Sequence, residues 1–590
     1  MYILGVSCYY HDSAAALLDD GMLVAAAEEE RFSRIKHDNG FPGQAIDFCL
    51  RQAGITAHDL DYVVFYEKPL VKLERILMTA LGSYPRSWRS FGEAMIAWFD
   101  EKLWVKSTLM QKLGIGAHKI LFTEHHMAHA ASAFFSSPFE EAAILTIDGV
   151  GEWTTATMGS GRASWEAGGV NEITLTHEQR FPHSLGLLYS AFTAFLGFKV
   201  NSGEYKVMGM APYGEPRYLD KIEKLFKVYP DGSFRVNMDY FSYHYSVEHT
   251  FNQRFVELFG KPRRPESEFF TTQTNPELLP NSPGMIENQY YADLAASIQL
   301  VTEETILSMA REVHRQTKSK RLCLAGGVAL NSKANGRILK ETPFEELFIQ
   351  PAAGDSGGAL GAALYIYHVV LGKSRYFVQE HNYWGQAHPD DQIRTFLESN
   401  GIAYSELQDN SLIEWVVDDL LEGKVIGWYQ GRFEWGPRAL GNRSILADPR
   451  RAEMKDIVNT KIKFREPFRP FAPVIPEDEV ENYFDFSCNG AAYPARYMLL
   501  VEPIKEDKQE VIPAVNHLGT GRLQTVRSEW NPRYYDVVAC FGQATGVPML
   551  MNTSFNLRGE PIVNTPQNAW NTFSNSGIDT LVMGNCLVRK

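Results

Sequence analysis

Two histidines four residues apart, His125 and His129, lie in an alanine-rich stretch, HHMAHAASAFFS (125–136), that reads as a helix. At that spacing both imidazoles project from one face, as two ligands of one metal ion must. His126 points elsewhere around the helix. Asp148 and Asp355 each end a strand and sit in a loop of small residues, DGVGE (148–152) and AAGDSGG (352–358). Two imidazoles with two carboxylates suit Fe(II), Mn(II) or Zn(II). An ion held there would grip nucleotide phosphates and offset their charge. A histidine pair on a helix also arises from packing or capping, so it is the two aspartates in phosphate-type loops that favour a metal.

His11-Asp12-Ser13 forms a second reactive grouping, in a loop between two apolar runs. A histidine there suits a general base toward an acceptor hydroxyl, with Asp12 orienting it or binding the acceptor. A loop histidine that caps a backbone group is the equal alternative. A third grouping is basic. Residues 432–469 hold ten Lys and Arg against five Asp and Glu. Arginine grips phosphate through two parallel hydrogen bonds, and lysine adds a point charge. The glycines and prolines of GRFEWGPRALGNRS (431–444) read as a rigid loop, while Arg450, Arg451 and Lys455 suit an exposed face. Phe433, Trp435, Phe464 and Phe468 would also serve a nucleic-acid groove, a reading that the net charge of −14 disfavours.

These groups need elements to carry them. Residues 3–7 read as a buried strand, followed by the His11 loop, a strand at 14–18, a tight turn at 19–21 and a returning strand at 22–27. Residues 143–161 repeat the plan: a strand at 143–147, the Asp148 loop, a strand at 154–158 and a turn at Gly159-Ser160-Gly161. Glycine loops at strand ends let backbone N–H groups approach phosphate closely, and two facing loops grip a polyphosphate. Further on come a long amphipathic helix at 285–317, a strand at 321–325 that opens into GGVALN (326–331), a strand at 347–350, and a small-residue helix from about Ala359. Strand–glycine loop–helix units place N–H groups and a helix dipole at an anion site. Composition changes over 366–392, which divides the chain into domains 1–370 and 371–590.

At 590 residues the chain exceeds one core. It has no apolar run long enough to span a bilayer, and its first residues lack the basic start and apolar stretch of a signal peptide. The cytoplasm is the expected compartment, with no membrane and no nucleic-acid partner. The six cysteines are scattered, with no Cys-x-x-Cys pair, which fits reduced thiols.

Taken in order, YYHDSAAAL (9–17), HHMAHAASAF (125–134), DGVGEW (148–153), GEYKVMGMAPYG (203–214), GGVALN, GDSGGALGAAL (354–364), GRFEWGPRALGNRS, KFREPFRPFAP (463–473) and MNTSFN (551–556) resemble the nodulation- and cephem-type O-carbamoyltransferases nearly end to end. GPRALGNRS together with REPFRPFAP carries the specificity. The resemblance implies an α/β protein with a duplicated N-terminal sugar-kinase/actin-like domain, similar to the threonylcarbamoyl-transfer proteins, and a YrdC-like C-terminal domain. It implies a two-stage chemistry. Carbamoyl phosphate is opened to phosphate and carbamate in the C-terminal domain. The carbamate passes internally to the N-terminal domain and reacts with ATP to give carbamoyladenylate and pyrophosphate. The hydroxyl of a small-molecule acceptor, a natural product or a sugar, then attacks.

Carried over by position, His125, His129, Asp148 and Asp355 match metal ligands, commonly of iron, with Mn, Zn or Mg as alternatives. Lys206, Gly326, Gly327 and Asn331 match nucleotide-contacting segments. His11 matches a catalytic position in acceptor activation, with Asp12 on the acceptor side. Arg438, Lys463, Arg469, Arg522 and Ser554 match the carbamoyl phosphate pocket, with Arg443 and Arg465 as neighbouring rivals. The oligomeric state is left open, a homodimer included. The rival readings are a small-molecule kinase on the same N-terminal fold, which leaves the basic cluster unexplained, and a nonenzymatic nucleotide- or RNA-binding module. The aromatic-rich stretch 66–112 reads as an acceptor-side wall or as an ordinary helical insertion.

Overall fold

Strand β1 (Tyr2–Ser7) is buried along nearly its whole length, as an apolar run without polar alternation requires. In this computed structural model, which describes residues 1–590 apart from 101, 167, 276, 487–489 and 491, β1 is the middle strand of the first of two matching sheets. With β2 (Ala14–Asp19), β3 (Met22–Glu28), β4 (Tyr62–Phe65) and β5 (Ile120–Phe122) it forms the order β3-β2-β1-β4-β5. β4 runs parallel to both β1 and β5.

The second sheet begins with β6 (Glu141–Ile147), β7 (Thr154–Arg162) and β8 (Glu172–Arg180), antiparallel in sequence. After a short ladder of β9 (Phe226–Val228) and β10 (Phe234–Val236), it is completed by β11 (Arg321–Ala325) and β12 (Glu346–Ile349). Its order is β8-β7-β6-β11-β12, with β11 parallel to β6 and β12. Each sheet thus places its first strand in the middle, its second and third on one side and its fourth and fifth on the other. This is a duplicated α/β architecture.

Two expectations are corrected. Gly159-Ser160-Gly161 is no turn: β7 runs straight through it to Arg162. A Cβ at Gly159 would lie 2.1 Å from the Thr174 carbonyl oxygen, and one at Gly161 would lie 2.6 Å from the Phe134 ring, so these glycines serve close approach within the sheet. The small-residue helix begins at Asp355, not near Ala359, which puts the carboxylate in its first turn.

That helix, Asp355–Tyr365, packs backbone against backbone on two sides. A Cβ at Gly361 would sit 1.8 Å from the Ala128 carbonyl oxygen, on the helix His125–Phe134. A Cβ at Gly5, on β1, would sit 1.8 Å from the Ala359 carbonyl oxygen. The alanine and glycine content of both helices is the requirement for this contact.

Compactness divides the chain into one unit of Met1–Tyr9, Leu17–Met22 and Ile55–Phe377, and a second of Tyr10–Ala16, Leu23–Gly54 and Val378–Lys590. The expected division at 370/371 differs from this in two N-terminal stretches, which pack with the C-terminal residues. Glu28 accepts the N–H of Gly436 at 2.6 Å, Arg31 donates to the Gly436 carbonyl at 2.6 Å, and Arg34 donates to Pro561 and Ile562 at 2.8 and 2.7 Å.

The second unit holds a nine-stranded mixed sheet. Its strands are β13 (Ser405–Glu406), β14 (Ile426–Tyr429), β15 (Arg443–Ala447), β16 (Ala472–Pro476), β17 (Leu500–Pro503), β18 (Thr520–Val526), β19 (Leu550–Ser554), β20 (Thr580–Met583) and β21 (Cys586–Arg589), in the order β13-β21-β20-β14-β15-β19-β16-β18-β17. Its core joins Trp428 and Leu446 of the sheet to apolar faces of the helices Asp409–Leu421 and Pro532–Thr545. Among the described residues no helix is long and apolar enough to cross a membrane. Among the described residues Cys49, Cys323, Cys540 and Cys586 are free thiols, and Cys488 lies outside the described residues.

The helix contact sets an expectation for stability. Gly361→Ala should lower stability by about 1–3 kcal/mol through overpacking. Gly82→Ala, where a Cβ meets nothing within 4 Å, should change it by about 0.5 kcal/mol or less. Thermal unfolding of the two variants side by side checks this; equal midpoints would remove the close helix contact.

Candidate active site

The helix His125–Phe134 starts on a carboxylate. Glu152, from the loop after β6, accepts the backbone N–H of His125 at 3.0 and 3.2 Å and that of Lys68 at 2.8 Å. This satisfies an amide at the helix start and places negative charge where the helix dipole favours it. The first helical turn is thereby fixed, and a Cβ at Gly151 would already collide with the His125 ring at 2.8 Å.

Four side chains meet in the first unit. His129 Nε2 lies 3.1 Å from His125 Nε2, and His125 Nε2 lies 3.2 Å from Asp148 Oδ2 and 3.6 Å from Asp355 Oδ1. His129 Nε2 lies 3.9 Å from Asp148 Oδ2 and 3.7 Å from Asp355 Oδ1. All four residues are buried, and their ligand atoms fall within 4.8 Å of one another. Each aspartate is held by its other oxygen: Asp148 Oδ1 accepts the N–H of Gly327 at 2.8 Å, and Asp355 Oδ2 accepts the Tyr66 hydroxyl at 3.3 Å.

Electrostatics follow from the enclosure. Burial opposes charge on His125, but Asp355 and Asp148 outweigh it and raise the imidazole to about 9. Burial likewise works against the Asp148 carboxylate, yet His125 and His129 hold it well below the ordinary range. His126 is spent elsewhere, on the Thr146 hydroxyl at 2.6 Å and the Thr154 carbonyl at 2.9 Å, and burial pushes it down to about 3. Two imidazoles and two carboxylates converging on one point, each carboxylate with one oxygen turned inward, fit a divalent cation.

The nucleotide-type residues lie in the same unit. Gly326 has φ of 92°, and a Cβ there would strike the Ile147 carbonyl oxygen at 2.3 Å, so the GGVALN loop rests directly on the end of β6. Lys206 is buried on the helix Glu204–Met210, with Nζ 5.3 Å from the centre of the Phe198 ring. Asn331 caps the helix Ser332–Glu341 through the Ala334 N–H, and its amide pairs reciprocally with Gln299 at 2.9 and 3.2 Å.

In the second unit Lys463 and Ser554 come together. Lys463 Nζ donates to the Ser554 carbonyl at 2.7 Å, the Asn556 carbonyl at 2.8 Å and Asn556 Oδ1 at 2.6 Å, with Ser554 Oγ 3.3 Å away. Burial first, then Arg465 and Arg469, push the ammonium pKa well below its usual value. Arg469 is paired with Glu466 at 2.5 Å. Arg438 is half-buried on the loop between β14 and β15, and Arg522 is half-buried on β18.

Of the rivals, Arg443 is a structural arginine. It is fully buried, stacks on Tyr429 with its guanidinium carbon 3.7 Å from the ring centre, and donates to the Gln430 and Asn442 carbonyls at 2.5 and 2.8 Å. Arg465 donates to Asn459 at 2.7 Å. His11 and Asp12 also lie in this unit, joined by a 2.9 Å contact.

Sequence reasoning missed several neighbours. Glu152 stands in DGVGEW, but its capping role has no sequence signal, because the helix it caps lies upstream. Glu67 Oε2 lies 3.9 Å from His125 Nδ1 and accepts Lys72 Nζ at 2.6 Å, both residues buried. Asn556 was visible in MNTSFN without an assigned role.

The family model for the carbamoyltransferase N-terminus matches residues 2–364, and that for the carbamoyltransferase C-terminus matches residues 417–590. The chain belongs to the carbamoyltransferase family. Nodulation protein NolNO of Sinorhizobium fredii is 37% identical over 99% of this chain and 79% of its own length. The 3'-hydroxymethylcephem-O-carbamoyltransferase of Amycolatopsis lactamdurans is 32% identical over 48% of this chain and 52% of its own. The uncharacterized protein sll1178 of Synechocystis is 46% identical over the whole chain and 97% of its own length. This carbamoyltransferase is therefore an enzyme of carbamoyl transfer.

The four-residue cluster carries a direct expectation. His129→Ala and Asp355→Asn should each lower affinity for Fe(II) or Mn(II) by at least about tenfold. Metal analysis of protein equilibrated with either ion reads this out; undiminished binding in both variants would remove the cluster as a metal site.

Proposed function

We propose that this carbamoyltransferase joins carbamoyl phosphate and ATP to make carbamoyladenylate, and then carbamoylates a hydroxyl of a small-molecule acceptor, a natural product or a sugar. The observation that carries the reading is the separation of two kinds of site between two compact units. One unit gathers two imidazoles and two carboxylates, one of them bonded to the glycine loop at Gly327. The other gathers buried Lys463 and Arg469 with half-buried Ser554.

In the second unit, Lys463 and the arginines Arg438, Arg469 and Arg522 bind the phosphate of carbamoyl phosphate. Water releases that phosphate and leaves carbamate. Lys463 arrives with its ammonium destabilised by burial and by neighbouring guanidiniums. A phosphate dianion relieves that repulsion, which is the electrostatic reason for anion binding here. Carbamate is short-lived in water, so consuming it within the same chain is an advantage.

In the first unit, the carbamate oxygen forms a bond to the α-phosphorus of ATP as the bond to pyrophosphate breaks. Gly326 and Gly327 keep the loop free of side chains beside the phosphates, the ammonium of Lys206 steadies them, and Asn331 sets the loop by capping the following helix. A divalent cation held by His125, His129, Asp148 and Asp355, iron in the first instance, would supply positive charge at those phosphates. In the last step the acceptor oxygen bonds to the carbamoyl carbon, AMP departs with the electron pair, and His11 takes the hydroxyl proton. One relative's name supports a hydroxyl acceptor: it is a 3'-hydroxymethylcephem-O-carbamoyltransferase.

Product analysis decides between this and a kinase. Incubation with ATP, carbamoyl phosphate and Mn(II) or Fe(II) should yield AMP and pyrophosphate; ADP as the sole nucleotide product would overturn the reading. Lys463→Ala should lose the use of carbamoyl phosphate while still turning over supplied carbamoyladenylate. Loss of both activities in a folded variant would end the two-site division.

A further inference from the structure

The loops 10–13 and 36–40, both in the second unit, are laced together. The Ser13 N–H donates to the Asp38 carbonyl at 2.8 Å, the Ser13 hydroxyl to the Gly40 carbonyl at 2.6 Å, and the Asn39 amide to the Tyr10 carbonyl at 3.5 Å. At the centre of this lacing, two residues that are not glycine hold left-handed backbone: Asp12 at φ 54° and His37 at φ 56°. Conformations of this kind persist where surrounding contacts over-determine them, and they cluster at functional sites.

The two strained residues face each other. Asp12 Oδ1 lies 2.7 Å from His37 Nδ1, and Asp12 Oδ2 lies 2.9 Å from His11 Nδ1. One carboxylate therefore lies between two imidazoles. His37 is anchored on its own side, where its backbone N–H donates to Glu30 Oε2 at 2.8 Å. The other oxygen of Glu30 accepts Lys36 Nζ at 2.8 Å, so a lysine already neutralises the negative charge that Glu30 would otherwise offer to a cation. His37 Nε2 is enclosed with no hydrogen-bond partner among the described residues. An Nε2–H would be left unpaired there, so the tautomer is Nδ1–H and the ring donates to Asp12.

We propose that His37 is a positioning residue for the acceptor-activating base: it fixes the Asp12 carboxylate, which in turn holds the Nδ1–H of His11, so that His11 turns Nε2 toward the acceptor hydroxyl. The proposal rests on the reading of His11 as that base. During transfer the hydroxyl proton passes to His11 Nε2 while the acceptor oxygen bonds to the carbamoyl carbon and AMP leaves with the electron pair. Asp12 then faces an imidazolium, and His37 shares the carboxylate's charge through the opposite oxygen. Both histidines contribute to holding Asp12 well below the ordinary carboxylate range against the opposing effect of burial.

The arrangement has a signed consequence. Without the His37 donor, the Asp12 charge bears wholly on His11, and the His11 imidazolium is held to higher pH. Among the described residues, the groups that bear on the pair include Tyr10, whose ring centre lies 4.8 Å from that of His11, the Glu30–Lys36 pair beside His37, and Asp38 in the same turn. None of these is changed by the substitution.

The test titrates His11 directly, in full-length protein carrying ¹³C-labelled histidine, with His11→Asn assigning its signal. In His37→Ala the His11 midpoint should rise by about half a pH unit or more. Loss of AMP from supplied carbamoyladenylate, with water as the simplest hydroxyl, should slow by about ten- to a hundredfold, with its acid limb moved upward. His37→Asn, whose amide still donates, should restore both. His37→Phe keeps the ring volume without the donor and gives the same readout if the alanine variant does not fold. An unmoved His11 midpoint in either donorless variant overturns the role of His37. Normal AMP loss in His11→Asn overturns instead the reading of His11 as the base, whatever the titration shows.

Discussion

Asp148 and Asp355 are carboxylates enclosed in protein, and charge in such a place must be compensated or it is costly. Much of the first unit follows from that constraint. The compensating groups are the two imidazoles of one helix. To reach both aspartates, that helix must lie against the helix that begins at Asp355, closer than ordinary side chains allow. Alanine and glycine line the contact for this reason, and Gly361 sits where no Cβ fits. Glu152 fixes the start of the histidine helix, while Gly327 and Tyr66 each hold the oxygen of an aspartate that does not face the histidines. The resulting cluster is arranged as tightly as a core, yet it is built from groups that titrate and coordinate.

The fold was largely legible where a local pattern carries it. The first strand–loop–hairpin segment, the strand opening the second, the long helix Pro283–Thr317 and the strand Arg321–Ala325 stand where apolar runs and periodicity put them. The failures share one physical cause. Gly159 and Gly161 read as a turn because glycine permits turns, whereas the structure uses the same missing Cβ for close packing across β7 and onto Phe134. Only the distant partner distinguishes the two uses. The start of the helix at Asp355 was misplaced for a related reason: glycine and serine in its first turn lower helix propensity, and tertiary packing overrides it.

The histidine–aspartate cluster could be read from spacing and from the family resemblance, since its ligand types and loop positions are local facts. Its supports could not. Glu67 and Glu152 act across tens of residues and Tyr66 across 289, and each looks like an ordinary polar residue beside a strand. The arginine-rich loop shows the same limit. Arg443 and Arg438 lie five positions apart in one glycine-rich segment, yet Arg443 is turned inward onto Tyr429 and backbone carbonyls. The loop's shape is set by buried Glu434, whose carboxylate accepts the N–H groups of Leu440, Asn442 and Arg443. An acidic residue thus organises a basic loop, which net charge counting does not reveal.

The second unit is assembled from residues that leave the ribosome far apart in time. Residues 23–54 emerge long before the strands and loops they grip, from Gly436 to Ile562. At about 5–20 residues per second, roughly 20 seconds to a minute and three-quarters separates them. During that interval Arg31 and Glu28, both buried in the finished protein, have no Gly436 to hold. The chain therefore completes its C-terminal unit only after the intervening residues have been made. A chimaera that exchanged the C-terminal half between relatives would inherit an N-terminal stretch fitted to the wrong partner unless residues 23–54 travelled with it.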